Sequence, residues 1–297
     1  MPYRFKHRET VPQNVKRIAA EELDSAIALL KGKRGVNRED SVHEVRKSIK
    51  KTRALLRMVR GELGEFYQDE NVLLRETGHA LSELRDAGAL IATVENLRHH
   101  GNGSPPRKLL SSVRGLLDVH KRELEQQATG RKLLPGLAVE LRKVRQSIRY
   151  WPLGTNGFRA IAPGIEQTFR AGRKAMVVAR KSGRAEDFHE WRKRVKDHWY
   201  QVRLLNRIWE DVMSGYQQSL KELEHALGES VNLSLLENQV QNLASQHRDR
   251  LPVSPLHKAV AAASHDLRER ALEIGAKVYA RKPPEFTRQL KRLWKAW

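Results

Sequence analysis

The 297-residue chain carries 56 Lys and Arg against 35 Asp and Glu, a formal net charge of +21, and no Cys. Disulfides and thiolate metal sites are excluded, and no run approaches the roughly 20 apolar residues that cross a bilayer, so membrane insertion is not expected. A field of that sign draws polyanions, whether nucleic acid, an anionic membrane surface or condensed phosphate.

The first stretch, MPYRFKHRETVPQNVKRIAAEELD, lacks the apolar core of a secretory signal, and the expectation is a soluble, cytoplasmic chain. The next helical period runs through SVHEVRKSIKKTRALLRMVR, residues 41–60. Val42, Val45, Ile49, Thr52, Leu56, Val59 and Leu63 step by three and four as an apolar seam. One position on, His43, Arg46, Lys50, Arg53, Arg57 and Arg60 form a parallel stripe. One residue is about 100° around a helix, so the cations sit beside the seam and not opposite it. Ser41 stands where an N-cap belongs. RYWPLGTNGFRAIAPG, residues 149–164, is rich in Gly and Pro and lacks helical period. It predicts a division into 1–150 and 165–297 joined by a linker at 151–164.

The second half repeats the first at an offset of 146. In DFHEWRKRVKDHWYQVRLL, residues 187–205, the seam becomes Phe188, Trp191, Val195, His198, Val202 and Leu205, continuing to Trp209. The stripe becomes His189, Arg192, Lys196, Trp199, Arg203 and Asn206, with Asp187 at the expected N-cap. HALSELRDAGAL at 79–90 lies over HALGESVNLSLL at 225–236, pairing His79 with His225 and Asp86 with Asn232. Strand signals are absent. The expectation is an all-α protein of two pseudo-symmetric four-helix bundles, packed around a basic central cleft or channel.

Lys and Arg beside a seam ordinarily snorkel, stems on the core edge and heads in water. Here the stripe has few acidic residues at i+3 or i+4, and the other half keeps it in register while its flanks change. Like charges at that spacing repel, so the sequence predicts that a ligand supplies the missing anions. His43 to Arg60 spans roughly 25 Å of helix. Two such tracks lining one cleft would admit a flexible single polyanion more readily than a duplex.

Other chemistries fail on spacing. HEVRK and HEWRK begin as a zinc-protease helix would but place Lys at the fifth position, and no Walker, G-x-G-x-x-G or G-x-S-x-G pattern occurs. No metal, cofactor or catalytic residue is expected. For His79 and His225 a buried, hydrogen-bonded helix histidine suffices. For Asp86 and Asn232 an interhelical hydrogen bond is expected, or the orientation of a basic side chain. Trp191, Trp199, Tyr200 and Trp209 are expected in the core. RQLKRLWKAW, at the C-terminal end, resembles a membrane-surface helix but corresponds to ELRKVRQSIRYW, which favours a structural helix of the bundle.

VHEVRKSIKKTRALLRMVR and FHEWRKRVKDHWYQVRLL resemble the paired signatures of the CHAD domain, the conserved histidine α-helical domain. LSELRDAGAL and LGESVNLSLL resemble its second signature. The resemblance covers nearly the whole chain. It implies non-catalytic binding of inorganic polyphosphate in a basic channel and association with cytoplasmic polyphosphate granules. It would make His43, Arg46, Lys47, Lys50, Arg53 and Arg57 ligand-facing, together with His189, Arg192, Lys193, Lys196 and Arg203. Arg170, Arg173 and Lys174 in TFRAGRKAM resemble a further basic helix. Arg53, Arg60 and Lys51 give way to Trp199, Asn206 and Asp197 in the second half, and GESVN lacks the family's usual Asp. No triphosphate-tunnel motif E-x-E-x-K is found, which implies a stand-alone binder and not a hydrolase. The alternative is a nucleic-acid-binding protein using the same basic surface, and weak nucleic-acid binding is an expected property beside polyphosphate; oligomeric state is not legible.

Overall fold

The computed structural model describes residues 3–32, 35–98, 105–246 and 254–297, and no strand occurs among them. The helices are α1 Val11–Leu30, α2 Arg38–Met58, α3 Arg60–Leu63, α4 Glu65–Ala80, α5 Ser82–Arg98, α6 Arg107–Gly130, α7 Leu133–Ser147, α8 Ala162–Ser182, α9 Ala185–Leu204, α10 Glu210–Gln246, α11 Ser254–Val278 and α12 Pro283–Ala296. In order along the chain, α8 and α9 correspond to α1 and α2, and α11 and α12 to α6 and α7. The single long α10 takes the place of α4 and α5, which break at Leu81.

Local chemistry sets several ends. Thr10 and Gln13 form a capping box at α1, and Gly183, at φ 65°, ends α8 in the left-handed conformation that glycine adopts without cost. The two expected caps lie elsewhere. Asn37 caps α2 by accepting from the Asp40 amide at 2.8 Å, and Ser41 is inside the helix, its hydroxyl donating to the Asn37 carbonyl. Arg184 precedes α9 without a side-chain cap, and Asp187 falls in the first turn, where a carboxylate suits the helix dipole.

Every residue of the first seam, from Val42 to Leu63, is at most 3% exposed, and the second seam is equally buried from Phe188 to Leu205. Trp209 departs from expectation at 49% exposure. α9 ends at Leu204, and the 3-10 turn Asn206–Ile208 breaks the phase that would have turned Trp209 inward. Trp191 and Tyr200 are core residues, whereas Trp199 is half-buried.

Two apolar cores result. The larger joins α1, α2, α7, α8, α9, α12 and the beginning of α10, and so includes residues from both sides of the expected boundary. The smaller packs Val94 of α5, Val113 of α6, Leu236 of α10 and Val260 of α11 into a four-helix layer with one hairpin from each half. Residues 151–164 are a packed connection, with Trp151, Phe158 and Ile161 buried and Ala162–Gly164 already in α8. α8 starts directly on the last turn of α2, and a Cβ at Gly164 would collide with the Met58 carbonyl. α12 lies in the bundle as expected: Phe286 and Leu290 are buried, and Trp294 meets Phe5 edge-on at 6.1 Å. No helix of the described residues is long and apolar enough to cross a membrane.

Candidate anion-binding site

α2 and α9 pack against each other, and the two stripes meet at that contact. The Lys50 ammonium lies in the field of Lys196, Arg46 and Arg192, and the His43 ring in that of Arg85, Lys47 and Lys196. Cations from both halves thus form one cluster, which the offset of 146 had placed on separate tracks.

The tethers within it are specific. Arg46 donates through Nη1 to the Gly78 carbonyl and to Ser82 Oγ at 2.7 Å. Arg192 Nε and Lys196 Nζ both donate to Glu224 Oε1 of α10, at 3.2 and 2.8 Å. Arg57 Nη1 reaches Asp197 Oδ1 at 3.1 Å and so ties α2 to α9. Arg53 donates to Asn71 Oδ1 at 3.0 Å. Arg203 lies over the rings of Trp199, Tyr3 and Tyr200 at 5.2, 5.6 and 6.0 Å. Its guanidinium is held by ring faces, which leaves its N–H donors free to bind an anion. Lys47 and Lys193 make exposed pairs with Glu44 and Glu190 on their own helices. Such pairs contribute about 0–1 kcal/mol and yield readily to a competing anion.

Lys50 is different. Half-buried, it makes no hydrogen bond or ion pair among the described residues. Burial, then the charges of Lys196, Arg46 and Arg192, hold its pKa well below the usual lysine range, against Glu224. Burial also lowers Lys196, although Glu224 opposes the shift. For Glu224 burial would raise the carboxyl, but Lys196 and Arg192 outweigh it and hold the pKa at about 2. Burial followed by the nearby Arg57 lowers Arg53 to about 10.

His43 Nδ1 accepts from Arg85 Nε at 2.9 Å, which places the proton of the neutral ring on Nε2. Burial and then Arg85 lower its pKa, and burial followed by Lys193 and Arg192 lowers that of His189. Among the described residues no three His, Asp or Glu side chains gather where they could hold a metal ion.

Several expectations need correction. The missing anions are partly supplied by the protein: Glu224 and Asp197 were invisible to an i+3, i+4 count because they come from other positions in the fold. Asp197 is the residue that replaces Lys51 of the first half, and it serves as the partner of Arg57. His79 and His225 are exposed, not buried. Asp86 and Asn232 make no side-chain hydrogen bond among the described residues; Asp86 instead acts by charge, favouring the protonated forms of Arg46 and His189. Arg170, Arg173 and Lys174 lie on α8, and none bonds to a residue of the cluster. Arg170 pairs with Glu166 and lines a separate open cavity with Arg60 and Thr287. Arg85, outside both stripes, is the cluster residue that the heptad reading missed; its place in LSELRDAGAL was the available signal.

The sequence profile of the CHAD domain matches residues 17–241. No curated protein matches the chain in sequence. Among solved structures, PptA from Streptomyces chartreusis aligns with a TM-score of 0.57 at 13% identity, over 92% of this chain and 98% of that one. The CHAD domain from the plant Ricinus communis aligns with a TM-score of 0.53 at 16% identity, over 98% of this chain and 96% of that one. At those identities the structural likeness speaks to the fold alone.

Proposed function

The chain belongs to the CHAD domain family, and we propose that it is a non-catalytic module that holds linear inorganic polyphosphate along the joined cationic faces of α2 and α9. The observation that carries this reading is Lys50. A half-buried ammonium without an acceptor, facing Arg46, Arg192 and Lys196, costs folding free energy and is explained by an anion that completes it. Polyphosphate fits because its repeating charges match a row of cations on two helices. Arg46, Arg192 and Arg203 give charge-assisted hydrogen bonds to its oxygens, Lys50 and Lys196 act as point charges, and His43 donates from Nε2. Capture is Coulombic at long range and multidentate at contact. In the cell the same reading places the protein with polyphosphate granules in the cytoplasm.

Nucleic acid is the competing polyanion. Competition at near-physiological salt separates the two: labelled polyphosphate is bound to wild type and to Lys50→Glu, and duplex DNA is then added in excess. The proposal expects polyphosphate to remain bound to wild type and Lys50→Glu to lose it while still folded. Ready displacement by DNA, with little difference between the proteins, would mean a general polyanion surface. Release of orthophosphate by the pure protein would overturn the non-catalytic part of the reading.

A further inference from the structure

The two tracks are related in sequence but not in charge. The offset of 146 pairs Arg46 with Arg192, Lys50 with Lys196, Gly78 with Glu224 and Ser82 with Gly228. On the first track the tethers of Arg46 are neutral, a carbonyl and a hydroxyl, and Lys50 has none. On the second track one carboxylate holds both cations. Gly228 leaves room beside this seat: the Arg192 guanidinium packs close against α10, and a Cβ at Gly228 would stand 3.1 Å from Arg192 Nη2. The serine at the corresponding place on the first track fills that space with an acceptor. Two other carboxylates lie near the first track, but neither is bonded to Arg46 or Lys50: Asp86 acts on Arg46 by charge and makes no side-chain hydrogen bond among the described residues, and Asp197 serves Arg57.

We propose that Glu224 is an internal counter-anion that polarises the site: a polyphosphate is captured first by Arg46 and Lys50, and reaches Arg192 and Lys196 only by displacing the Glu224 carboxylate. This rests on the polyphosphate reading above and assigns the residue that tunes it. A short anion is satisfied on the first track and gains little from the second. A long chain has enough charge to compete with the carboxylate, so Glu224 favours long ligands over short ones. The low pKa of Glu224 is the signature of an occupied anion seat.

The test is a reciprocal pair of variants with inorganic triphosphate and long-chain polyphosphate as probes. Glu224→Gln keeps an acceptor oxygen and removes the charge. It should bind triphosphate about tenfold more tightly and steepen the dependence of log affinity on log salt by about one. Gly78→Glu should do the reverse, and α4 has room for its Cβ, which would meet only Ile49 Cγ2 at 3.4 Å. Circular dichroism confirms that both variants remain folded. If wild type binds polyphosphate but neither variant moves triphosphate affinity in its stated direction, the counter-anion is refuted and the function stands. If wild type binds neither probe, the function falls and the capture order with it, and amine labelling without ligand decides whether Glu224 is the counter-anion of Lys196. Lys196 should then label faster at neutral pH in Glu224→Gln, because the carboxylate that favours its charged form is gone; equal rates would overturn the inference.

Discussion

The helix that carries half of the candidate site buries a histidine in the core, and replacing His198 with leucine tests what that burial costs. His198 is 1% exposed, with the rings of Phe169, Tyr216, Tyr279 and Phe286 between 5.4 and 5.7 Å away, drawn from α8, α10, α12 and the residue after α11. Its Nε2 meets Tyr216 Oη at 3.4 Å and its Nδ1 has no partner. Burial with no counter-charge lowers the pKa to about 3. The unfolded chain, near the ordinary value of about 6.5, therefore binds a proton that the folded state refuses. Stability from this residue is complete above about pH 6.5 and is lost as pH falls toward 3. At about 1.4 kcal/mol per pH unit the loss is about 3 kcal/mol by pH 4 and about 5 kcal/mol in full. Leucine is close in volume, and Tyr216 Oη keeps its second partner, the Val278 carbonyl at 3.3 Å, so the variant should stay within about 1.5 kcal/mol of wild type at neutral pH. Urea unfolding at several pH values provides the assay. Wild type should lose about 3 kcal/mol more than His198→Leu between about pH 7 and about pH 4. Parallel curves for the two proteins would refute the argument.

Three further outcomes follow from the same geometry. Lys50→Met should raise the melting temperature while weakening polyphosphate binding about tenfold, since it removes an unpaired charge that only the ligand completes; a fall in both would place Lys50 in the scaffold. Arg57→Met should cost about 3 kcal/mol in urea at neutral pH by stranding the buried Asp197, whose pKa burial already raises against Arg57. The penalty belongs to the ionised carboxylate, so it should shrink as pH falls through the raised Asp197 pKa, whereas Asp197→Asn should be mild. For triphosphate, titration calorimetry should show affinity rising as pH falls and still rising below the ordinary histidine range, since the ligand-free rings titrate below it. Burial lowers His43 and His189 beside the cations Arg85, Lys47, Lys193, Arg192 and Lys196, and the ligand favours their protonated forms. A rise already complete above about pH 7 would contradict this, and His43→Gln with His189→Gln should flatten the profile.

The heptad steps from Val42 to Leu63 and from Phe188 to Leu205 gave the buried faces correctly, because helical period is a local property: each apolar residue needs only its neighbours three and four places away. That same period put the cations beside the seam. It failed at Trp209, where α9 stops and the phase is lost. The repeat also made the substitutions at 53, 60 and 51 visible, although not what they do. That the two stripes meet was a matter of how α2 packs on α9, and the joining of an α5–α6 hairpin to an α10–α11 hairpin in one core depended on contacts far apart in sequence. The acids are the clearest case. Glu224 is an unremarkable residue of HALGES's upstream turn until α10 brings it to Arg192 and Lys196, and Asp197 reads as a lost lysine until it meets Arg57. Sequence alone determined the helices, their inward faces and the presence of a basic stripe. Tertiary structure decided which of those charges the protein already answers and which have no partner among the described residues, because a carboxylate's partner is set by the helix packed across from it.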